Sequence, residues 1–409
     1  MSTLKNAIVL VIDGLHGGFS GAYGNSGIAT PALDRFACDS LLCDQYYTNT
    51  LEISRLYREF WYGLSPQEPE SETPPDFPNL PARLLEKGYR TILLTDDPEI
   101  AYNLYADGFS EVHRIDSVTP EEPVSALEET RFFRLFATAV DLVSQSEQPY
   151  FLWVHLKAFC GPWDFPVEYR EEYREEGDPE PYSLTAVPHI DYRSGEADVD
   201  PDDLRSVEEA YIGGVTVLDE SLAGFLESLQ QGDFGDNTLC IFTASRGFSL
   251  GEHGLIGPGE PGDLWAENLH LPLLVRLPEQ SDDQRMLRTS ALLQPNDIYT
   301  TLAEWFAISD VTPSEDDRDG ASLFCFFTDE ETPVRDRIDI TGDSRVCGVM
   351  QPDWFFRVHA EQDELRESNY RVELFAKPDD RYEINEVADR CEDIVEDFLA
   401  ESRRLPFAS

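Results

Sequence analysis

Short runs of apolar and β-branched residues alternate with longer amphipathic runs along most of the chain, and this alternation constrains the fold most strongly. Such short runs are typical of strands buried on both faces of a parallel sheet, and the amphipathic segments are typical of the helices that cover it. The pattern predicts strands at Asn6–Ile12, Tyr89–Thr95, Tyr150–Leu156, Thr238–Thr243 and Leu271–Leu277. It predicts helices at Pro31–Ser40, Leu80–Lys87, Ser125–Ser144, Asn296–Phe306 and along a periodic stretch from Val207 to Phe225. The predicted fold class is α/β, with a large, mostly parallel sheet sandwiched by helices.

The alternation weakens after Phe306, which indicates a second, smaller unit. We predict an α/β domain over residues 1–319 and a small C-terminal α+β subdomain over residues 320–409. The subdomain is expected to contain strands at Trp354–Val358 and Tyr370–Phe375 and a final helix at Cys391–Ser402. Two segments rich in Pro and acidic residues, Ser65–Pro78 and Glu175–Asp203, are predicted to be surface loops.

The charge of the chain excludes one class of function. It has 31 basic and 80 acidic residues, a net charge of −49, and its only lysines are Lys5, Lys87, Lys157 and Lys377. Nucleic acid and anionic membranes need clustered Lys and Arg, so neither is expected as a partner. The acidity itself is compatible with a solvated surface suited to high salt or with an acidic patch for a cationic partner.

The cysteines and the N-terminus bear on location. The seven cysteines are scattered without paired metal-type spacing, and several lie inside apolar runs where they act as small hydrophobic residues. The apolar run from Ala7 to Ile12 is too short for a signal peptide, and no stretch has the length of a membrane span. A cytoplasmic location is therefore expected.

Polar residues follow several predicted strands. In open α/β sheets the functional site lies outside the carboxyl ends of the strands. The residues at these ends are Asp13, Thr95-Asp96-Asp97, His155 and Ser245-Arg246-Gly247. They are the first candidates for a site.

Six segments, in order along the chain, carry a resemblance to a known family. They are Asn6–Gly14, Tyr23–Asn25 with Thr30–Ala37, Leu84–Thr91, Asp236–Thr243 with Leu250–Gly254, Asn268–Val275, and Glu373–Phe375 with Asn385–Asp389. Together they make nearly the whole chain resemble a sulfatase of the alkaline-phosphatase superfamily. The resemblance implies hydrolysis of a sulfate ester by a cysteine-derived formylglycine, with Ca²⁺ or Mg²⁺ and several cationic side chains. Such a metal requires several hard oxygen ligands and serves to balance the charge on the sulfuryl group.

The chain departs from the family pattern where this chemistry would occur. Leu51 stands at the position of the maturing cysteine, in Leu51-Glu52-Ile53-Ser54-Arg55. The second metal pair falls on Ser245-Arg246, and the first is reduced to Asp13-Gly14. Further departures are Asp96 near the place of a lysine, Phe159-Cys160 in place of a Pro-His pair, and the absence of lysine between His253 and Pro278.

These departures predict that the metal site is lost. Asp13 is then a remnant ligand, unoccupied by metal, or an ion-pair partner of Arg55 or Arg246. A guanidinium about 4 Å from a cation repels it by roughly 4 kcal/mol at an effective dielectric near 20. No cofactor is expected, and Ca²⁺ or Mg²⁺ is expected only if the family site is retained.

The candidate site residues each have more than one interpretation. Arg55, Arg246 and Ser54 are candidates for binding an anion, while Arg55 could equally brace its loop and Arg246 could pair with Asp13. The resemblance places Arg55, His155 and His253 at positions that are catalytic in the family. Alternatively, His155 could be a core histidine with satisfied hydrogen bonds, and His253 could order the turn at Leu250–Gly254. The hydroxyls near the nucleophile's place belong to Thr48, Thr50 and Ser54, and the sequence shows no base to activate them.

Three functional hypotheses follow. The first is a sulfatase-like pseudoenzyme, impaired as a sulfuric ester hydrolase, that binds a sulfated or phosphorylated small molecule or glycan, or a partner. The second is an active, metal-dependent sulfuric or phosphoric ester hydrolase with an unconventional nucleophile. The third is an interaction protein whose site has filled with side chains, with Leu51 packed into it.

Overall fold

The structure is a computed structural model that describes residues 5–66, 73–115, 120–146, 149–193, 200–231, 237–278, 285–308, 320–328, 334–360 and 370–401. The strands are β1 Asn6–Ile12, β2 Leu41–Tyr46, β3 Arg90–Thr95, β4 Glu111–Arg114, β5 Tyr150–Leu156, β6 Ile190–Asp191, β7 Thr238–Ala244, β8 Phe248–Leu250, β9 Leu255–Pro258, β10 Leu273–Arg276, β11 Leu287–Leu293, β12 Ile338–Thr341, β13 Val346–Met350, β14 Trp354–Ala360 and β15 Tyr370–Ala376. The helices are α1 Pro31–Cys38, α2 Ile53–Tyr62, α3 Leu80–Glu86, α4 Pro98–Ala101, α5 Arg131–Ser144, α6 Val167–Glu171, α7 Pro201–Gln231, α8 Ala266–Leu269, α9 Pro295–Trp305 and α10 Glu392–Glu401.

The main sheet has eight strands in the order β11-β2-β10-β7-β1-β5-β3-β4. β10 is antiparallel to both β2 and β7, and the other pairs are parallel. The central strands β5 and β7 are buried along their whole length, as expected of strands covered on both faces. The predicted fold class, an α/β sandwich with a mostly parallel sheet, is confirmed.

The register of the central strands determines which polar residues meet. Ile12 of β1 pairs with Leu156 of β5 and with Ala244 of β7, while Thr95 of β3 pairs with His155. The residues that follow these strands therefore lie at one edge of the sheet, the carboxyl edge. Asp13, Asp96, Asp97, Lys157 and Ser245 all leave their strands at this edge.

A second, antiparallel sheet has the order β12-β13-β14-β15 and lies in the predicted C-terminal subdomain. Its apolar residues share a buried cluster with residues of the main unit, and we call this cluster the junction core. Its members are Tyr47, Leu51, Leu264, Leu269, Leu292, Ile338, Ile340, Val346, Met350, Phe355 and Phe375. A backbone bridge between Thr50 and Thr341 also joins the two units. The predicted boundary at Asp319 lies outside the described residues.

Several predicted elements differ from the observed ones. The helix predicted from Ser125 begins at Arg131, because the hydroxyl of Thr130 accepts a hydrogen bond from the backbone N–H of Phe133 and caps the helix there. The loop predicted at Glu175–Asp203 contains the short strand β6 and the start of α7. Strands β2, β4 and β11 were not predicted; β4 and β11 are partly exposed and lack a continuous apolar run.

Candidate functional site

The carboxylate of Asp13 is held by the two residues that follow β7. Arg246 donates from Nε to Oδ1 of Asp13 at 3.0 Å and from Nη2 to Oδ2 at 3.2 Å, and Ser245 donates its hydroxyl to Oδ1 at 2.7 Å. A third bond runs from Nη1 of Arg246 to the carbonyl oxygen of Gly259 at 3.1 Å. The side chains of Arg246 and Asp13 are 18% and 1% exposed, so this is a buried bidentate ion pair.

This ion pair determines the charge states of Asp13 and Arg246 at the center of the carboxyl edge. Burial opposes ionisation of Asp13, but the charge of Arg246, the nearby His155 ring and the hydrogen bonds from Arg246 and Ser245 hold its pKa below the ordinary value. Burial also opposes the charge on Arg246, yet Asp13 raises the pKa of Arg246 above its usual range. Asp13 and Arg246 are therefore both charged at neutral pH. Of the two partners that the sequence suggested for Asp13, Arg246 is the one observed.

His155, near the end of β5, lies in the core beside a second carboxylate. Its Nδ1 is 2.5 Å from the hydroxyl of Tyr57, and its Nε2 is 3.9 Å from Oδ2 of Asp97. Nε2 is buried and makes no hydrogen bond with the described residues. Burial lowers the pKa of His155 more than the nearby carboxylates of Asp13, Asp97 and Asp96 raise it, so the ring is neutral.

Asp97 has two further partners. Its Oδ1 accepts the backbone N–H of Glu99 at 2.9 Å, which caps α4, and the ammonium of Lys157 at 3.1 Å. Asp13, Asp97 and His155 each offer one ligand atom, and these atoms lie within 4.8 Å of one another. The structure therefore adds two groups to the single aspartate that the sequence analysis treated as the remaining ligand, and such a trio could hold a metal ion.

The trio offers few free oxygens to the hard cation that the family resemblance implies. Ca²⁺ and Mg²⁺ take six or more oxygen ligands. Here both oxygens of Asp13 accept N–H groups of Arg246, one oxygen of Asp97 accepts two donors, and His155 offers nitrogen. A cation bound by Asp13 would also face the guanidinium of Arg246, so metal binding competes with an ion pair that is already formed.

Asp96, which stands near the place of a family lysine, belongs to a separate buried pair. Its Oδ2 accepts Nη1 of Arg131 at 2.5 Å, and its Oδ1 accepts the backbone N–H of Lys157 at 2.7 Å. Both side chains of the pair are almost fully buried. Cys160 is buried nearby, and burial together with the charge of Asp13 raises the pKa of its thiol, so it is a neutral thiol and a poor nucleophile.

The segment that resembles the family's maturation motif forms the start of α2. Leu51 is 1% exposed and belongs to the junction core. Arg55 pairs with Glu52 at 2.8 Å and donates to the carbonyl oxygen of Pro66 at 3.3 Å, so it braces its own loop. The hydroxyl of Ser54 bonds to Glu52 at 3.3 Å.

The two threonines before α2 also have local partners. Thr48 donates its hydroxyl to the carbonyl oxygen of Thr50 at 2.7 Å, and the hydroxyl of Thr50 accepts the N–H of Glu52 at 3.2 Å. Both side chains are buried. Neither hydroxyl contacts a histidine or carboxylate that could activate it, among the contacts that the structure describes.

His253 lies at the junction with the subdomain. Its Nδ1 is 2.8 Å from the buried carboxylate of Glu267, and its ring stacks on Trp265 with centroids 3.6 Å apart. Burial lowers the pKa of His253, but the hydrogen bond and charge of Glu267 outweigh this and raise it. Its Nε2 faces the carbonyl oxygen of Glu383 at 3.4 Å. These contacts order the turn at Leu250–Gly254.

The structure thus brings together some of the predicted residues and separates others. Asp13, Ser245, Arg246 and His155 meet at the carboxyl edge, whereas the contacts of Arg55, Ser54 and His253 are made elsewhere. Sequence reasoning named Asp97 as a strand-end residue but gave it no role, and it missed Tyr57 and Lys157. Lys157 directly follows β5 and is one of only four lysines, which is the signal that could have identified it.

Comparisons with known proteins identify the family and the fold. A family model described as Sulfatase matches residues 5–308. Human N-sulphoglucosamine sulphohydrolase is 27% identical over 333 residues, covering 74% of this chain and 61% of that protein. A multifunctional alkaline phosphatase superfamily protein, PehA from Trinickia caryophylli, is 28% identical over 133 residues, covering 32% of this chain and 24% of that protein. The chain thus spans less than two thirds of either relative.

Solved structures share the fold over nearly the whole chain. The phosphonate monoester hydrolase of Agrobacterium radiobacter superposes with a TM-score of 0.75 at 17% identity, covering 98% of this chain and 96% of that one. A protein solved with its substrate, D-glucosamine-2-N,6-O-disulfate, gives a TM-score of 0.75 at 16% identity, covering 98% of both chains. Over the described residues, none of the helices is both long enough and apolar enough to cross a bilayer.

Proposed function

The chain belongs to the sulfatase family, whose model covers residues 5–308, and we propose that it binds a sulfated or phosphorylated ligand without hydrolysing it. The observation that carries this proposal is the bidentate pair between Arg246 and Asp13, at the place where the family's second metal pair falls. A fixed guanidinium there replaces a divalent cation with a single positive charge.

The remaining hydrogen-bonding capacity of Arg246 supports the binding part of the proposal. A guanidinium has five N–H groups. Three bonds from Arg246, to Asp13 and to the carbonyl oxygen of Gly259, and a contact with the side chain of Cys160 leave one N–H group for another acceptor, and the side chain is 18% exposed. Guanidinium groups suit sulfate and phosphate because their planar fork matches two oxygens at once.

The surroundings of Leu51 support the loss of hydrolysis. Its aliphatic side chain has no atom that could attack an ester, and it packs in the junction core rather than leaving space for a modified residue. The alternative hydroxyls of Thr48, Thr50 and Ser54 bond to local backbone or to Glu52. The ligand class is supported by a relative with the same fold that is solved with a disulfated glucosamine as its substrate.

The test combines binding and turnover on protein first treated with a chelator. Isothermal titration with sodium sulfate and sodium phosphate, at ionic strength matched with chloride, should give saturable binding that Arg246→Gln weakens at least tenfold. Arg276→Gln is the matched control, because Arg276 is partly buried, lies at the opposite end of the neighboring strand β10, and makes no ion pair with the described residues. Hydrolysis of an aryl sulfate and an aryl phosphate should be absent with and without added divalent metals.

A second candidate function, an active metal-dependent ester hydrolase, is favored by the Asp13–Asp97–His155 trio. Metal-dependent turnover that is lost in both Asp97→Asn and His155→Gln would establish this candidate and overturn the proposal. Binding of sulfate that is equal in the wild type and Arg246→Gln would overturn the assigned role of Arg246.

A further inference from the structure

Zn²⁺ is a softer cation than Ca²⁺ or Mg²⁺ and accepts imidazole nitrogen as readily as carboxylate oxygen. Zinc sites that keep an open position have three protein ligands. The Asp13–Asp97–His155 trio offers three such groups, all buried, with ligand atoms within 4.8 Å of one another. An imidazole binds a metal only through an unprotonated nitrogen. Zinc binding here therefore depends on which nitrogen of His155 carries the proton.

The side chain of Tyr57 is fixed beside His155 by the packing of α2 on β5. Tyr57, Phe60 and Trp61 lie at three- and four-residue spacing on α2 and are fully buried. Trp153 and His155 are two residues apart and lie on one face of β5. The Tyr57 ring packs edge-on against Trp61 and Trp153, with centroids 4.7 and 6.0 Å away. These contacts hold the phenol hydroxyl 2.5 Å from Nδ1 of His155.

The hydrogen bond between Tyr57 and His155 runs from the phenol to the ring. Across the described residues, Nδ1 of His155 is the one acceptor within hydrogen-bonding distance of the phenol hydroxyl. The neighboring indole of Trp153 has an N–H donor and no acceptor atom. A proton on Nδ1 would leave the phenol proton buried without an acceptor and would place a lone pair on Nε2, 3.9 Å from Oδ2 of Asp97. Nε2 therefore carries the proton of His155.

We propose that the hydroxyl of Tyr57 keeps Zn²⁺ and similar divalent ions off the trio by holding the proton of His155 on Nε2. The nitrogen nearer to Asp97 is then a hydrogen-bond donor, and the lone pair that a metal would need faces Tyr57. A metal binds Nε2 only if the proton moves to Nδ1, which leaves the phenol proton without its acceptor. Tyr57 acts on the trio through His155, so it is a positioning residue.

This role of Tyr57 goes beyond anion binding by Arg246 and does not rest on it. Arg246 opposes a metal by occupying the carboxylate of Asp13, whereas Tyr57 opposes it at a different ligand, His155. The position of the His155 proton can be read with no anion present. Failure of this inference and failure of anion binding therefore give different results.

The position of the proton can be measured directly in the wild type by NMR. The protein is labelled with ¹⁵N at histidine, and correlations between the ring nitrogens and the carbon-bound ring protons are recorded. Protonated and unprotonated ring nitrogens resonate in separate ranges, and His155→Gln identifies the His155 signals among those of seven histidines. We expect Nε2 in the protonated range. A His155 ring that carries its proton on Nδ1 would overturn the proposal.

A Zn²⁺ titration then tests what this proton does. Chelator-treated wild type, Tyr57→Phe, Arg246→Gln and the double variant are titrated, and binding is read as loss of the protonated Nε2 signal of His155. Ions bound elsewhere on the acidic surface do not cause that loss. Tyr57→Phe should lower the apparent Kd about tenfold or more relative to its parent, with and without Arg246, because no phenol proton is then left unsatisfied.

Tyr150→Phe is the matched control. Tyr150 is buried at the start of the same strand, β5, and its hydroxyl lies 3.4 Å from that of Thr238. This variant also removes one hydroxyl from the core, at the opposite end of the strand from His155. It should leave the His155 proton on Nε2 and the Kd for Zn²⁺ within about twofold of the wild type.

A protonated Nε2 in the wild type, together with tighter Zn²⁺ binding in Tyr57→Phe, supports the role of Tyr57. Equal Kd values in Tyr57→Phe and its parent overturn it, and so does the absence of Zn²⁺ binding at His155 in the double variant. If Tyr57→Phe does not fold, the wild type decides. Saturable loss of its protonated Nε2 signal in millimolar Zn²⁺ overturns the proposal, and persistence of that signal supports it.

Discussion

Removing the guanidinium of Arg246 should destabilise the protein, and Arg246→Met does so with little change in the aliphatic part of the side chain. The variant leaves the carboxylate of Asp13, 1% exposed, with the hydrogen bond from the hydroxyl of Ser245. Breaking a buried ion pair from one side costs about 3–5 kcal/mol. Because Arg246 is 18% exposed and Ser245 keeps its bond, we take the lower end, about 3 kcal/mol.

The effect should depend on pH with a definite sign. In the wild type the pKa of Asp13 lies below the ordinary value of 3.8, so the ionised pair stabilises the protein above that pH and this stability is lost as the pH falls through the lower, folded-state pKa. Without Arg246, burial acts on Asp13 and raises its pKa. The difference between the two proteins should therefore be largest near neutral pH and shrink as the pH falls toward 4.

Thermal unfolding at one scan rate measures this difference. For a chain of this size, about 3 kcal/mol corresponds to a fall in Tm of roughly 3.5 °C. Arg276→Met is the control and should change the Tm by less than about 1 °C. The double variant Asp13→Asn with Arg246→Met should be more stable than Arg246→Met alone, because no charge is then left unpaired. An unchanged Tm in Arg246→Met at pH 7, or a deficit that grows at low pH, would refute the reasoning.

Three further predictions concern other parts of the molecule. Burial raises the pKa of Asp219 to about 6, so the wild type should lose up to about 3 kcal/mol of stability, relative to Asp219→Asn, as the pH rises from 4 to 6. Unfolding of both proteins across this pH range measures the loss. A stability difference between them that stays constant with pH would contradict the prediction. Leu51→Ala should cost about 2–5 kcal/mol because it opens a cavity in the junction core, and a Tm within 1 °C of the wild type would show that Leu51 does not support it. Millimolar Ca²⁺ or Mg²⁺ should leave the Tm of chelator-treated protein unchanged. A saturable rise in Tm would mean that the metal ion displaces Arg246 from Asp13.

The main sheet could be predicted because its central strands are buried on both faces. β1, β5 and β7 appear in the sequence as mostly apolar runs, and each is followed by a polar residue that reaches the edge. The partly exposed strands β4 and β11 carry no such run, and their pairing with neighboring strands depends on the rest of the sheet. This is why they were missed while the fold class was correct.

The candidate site was predictable only in part, for a different reason. That Asp13 and Arg246 would meet follows from the strand order, because β1 and β7 are neighbors in the sheet. The contact of His155 with Tyr57 depends on how α2 packs over the sheet, which the local sequence does not encode. The place of Leu51 was likewise set by a sheet that begins far along the chain, at Ile338. The family resemblance identified which sequence positions belong to the candidate site, whereas the partners of each side chain depend on tertiary packing.

The junction core has a consequence for any attempt to divide the protein. Tyr47, Leu51, Leu264, Leu269 and Leu292 are covered by apolar side chains from β12 to β15. A fragment that ends before these strands would expose this contiguous apolar surface to water, and surfaces of this kind drive self-association. The C-terminal sheet therefore keeps the larger unit from aggregating, and expression of residues 1–308 alone should give insoluble material.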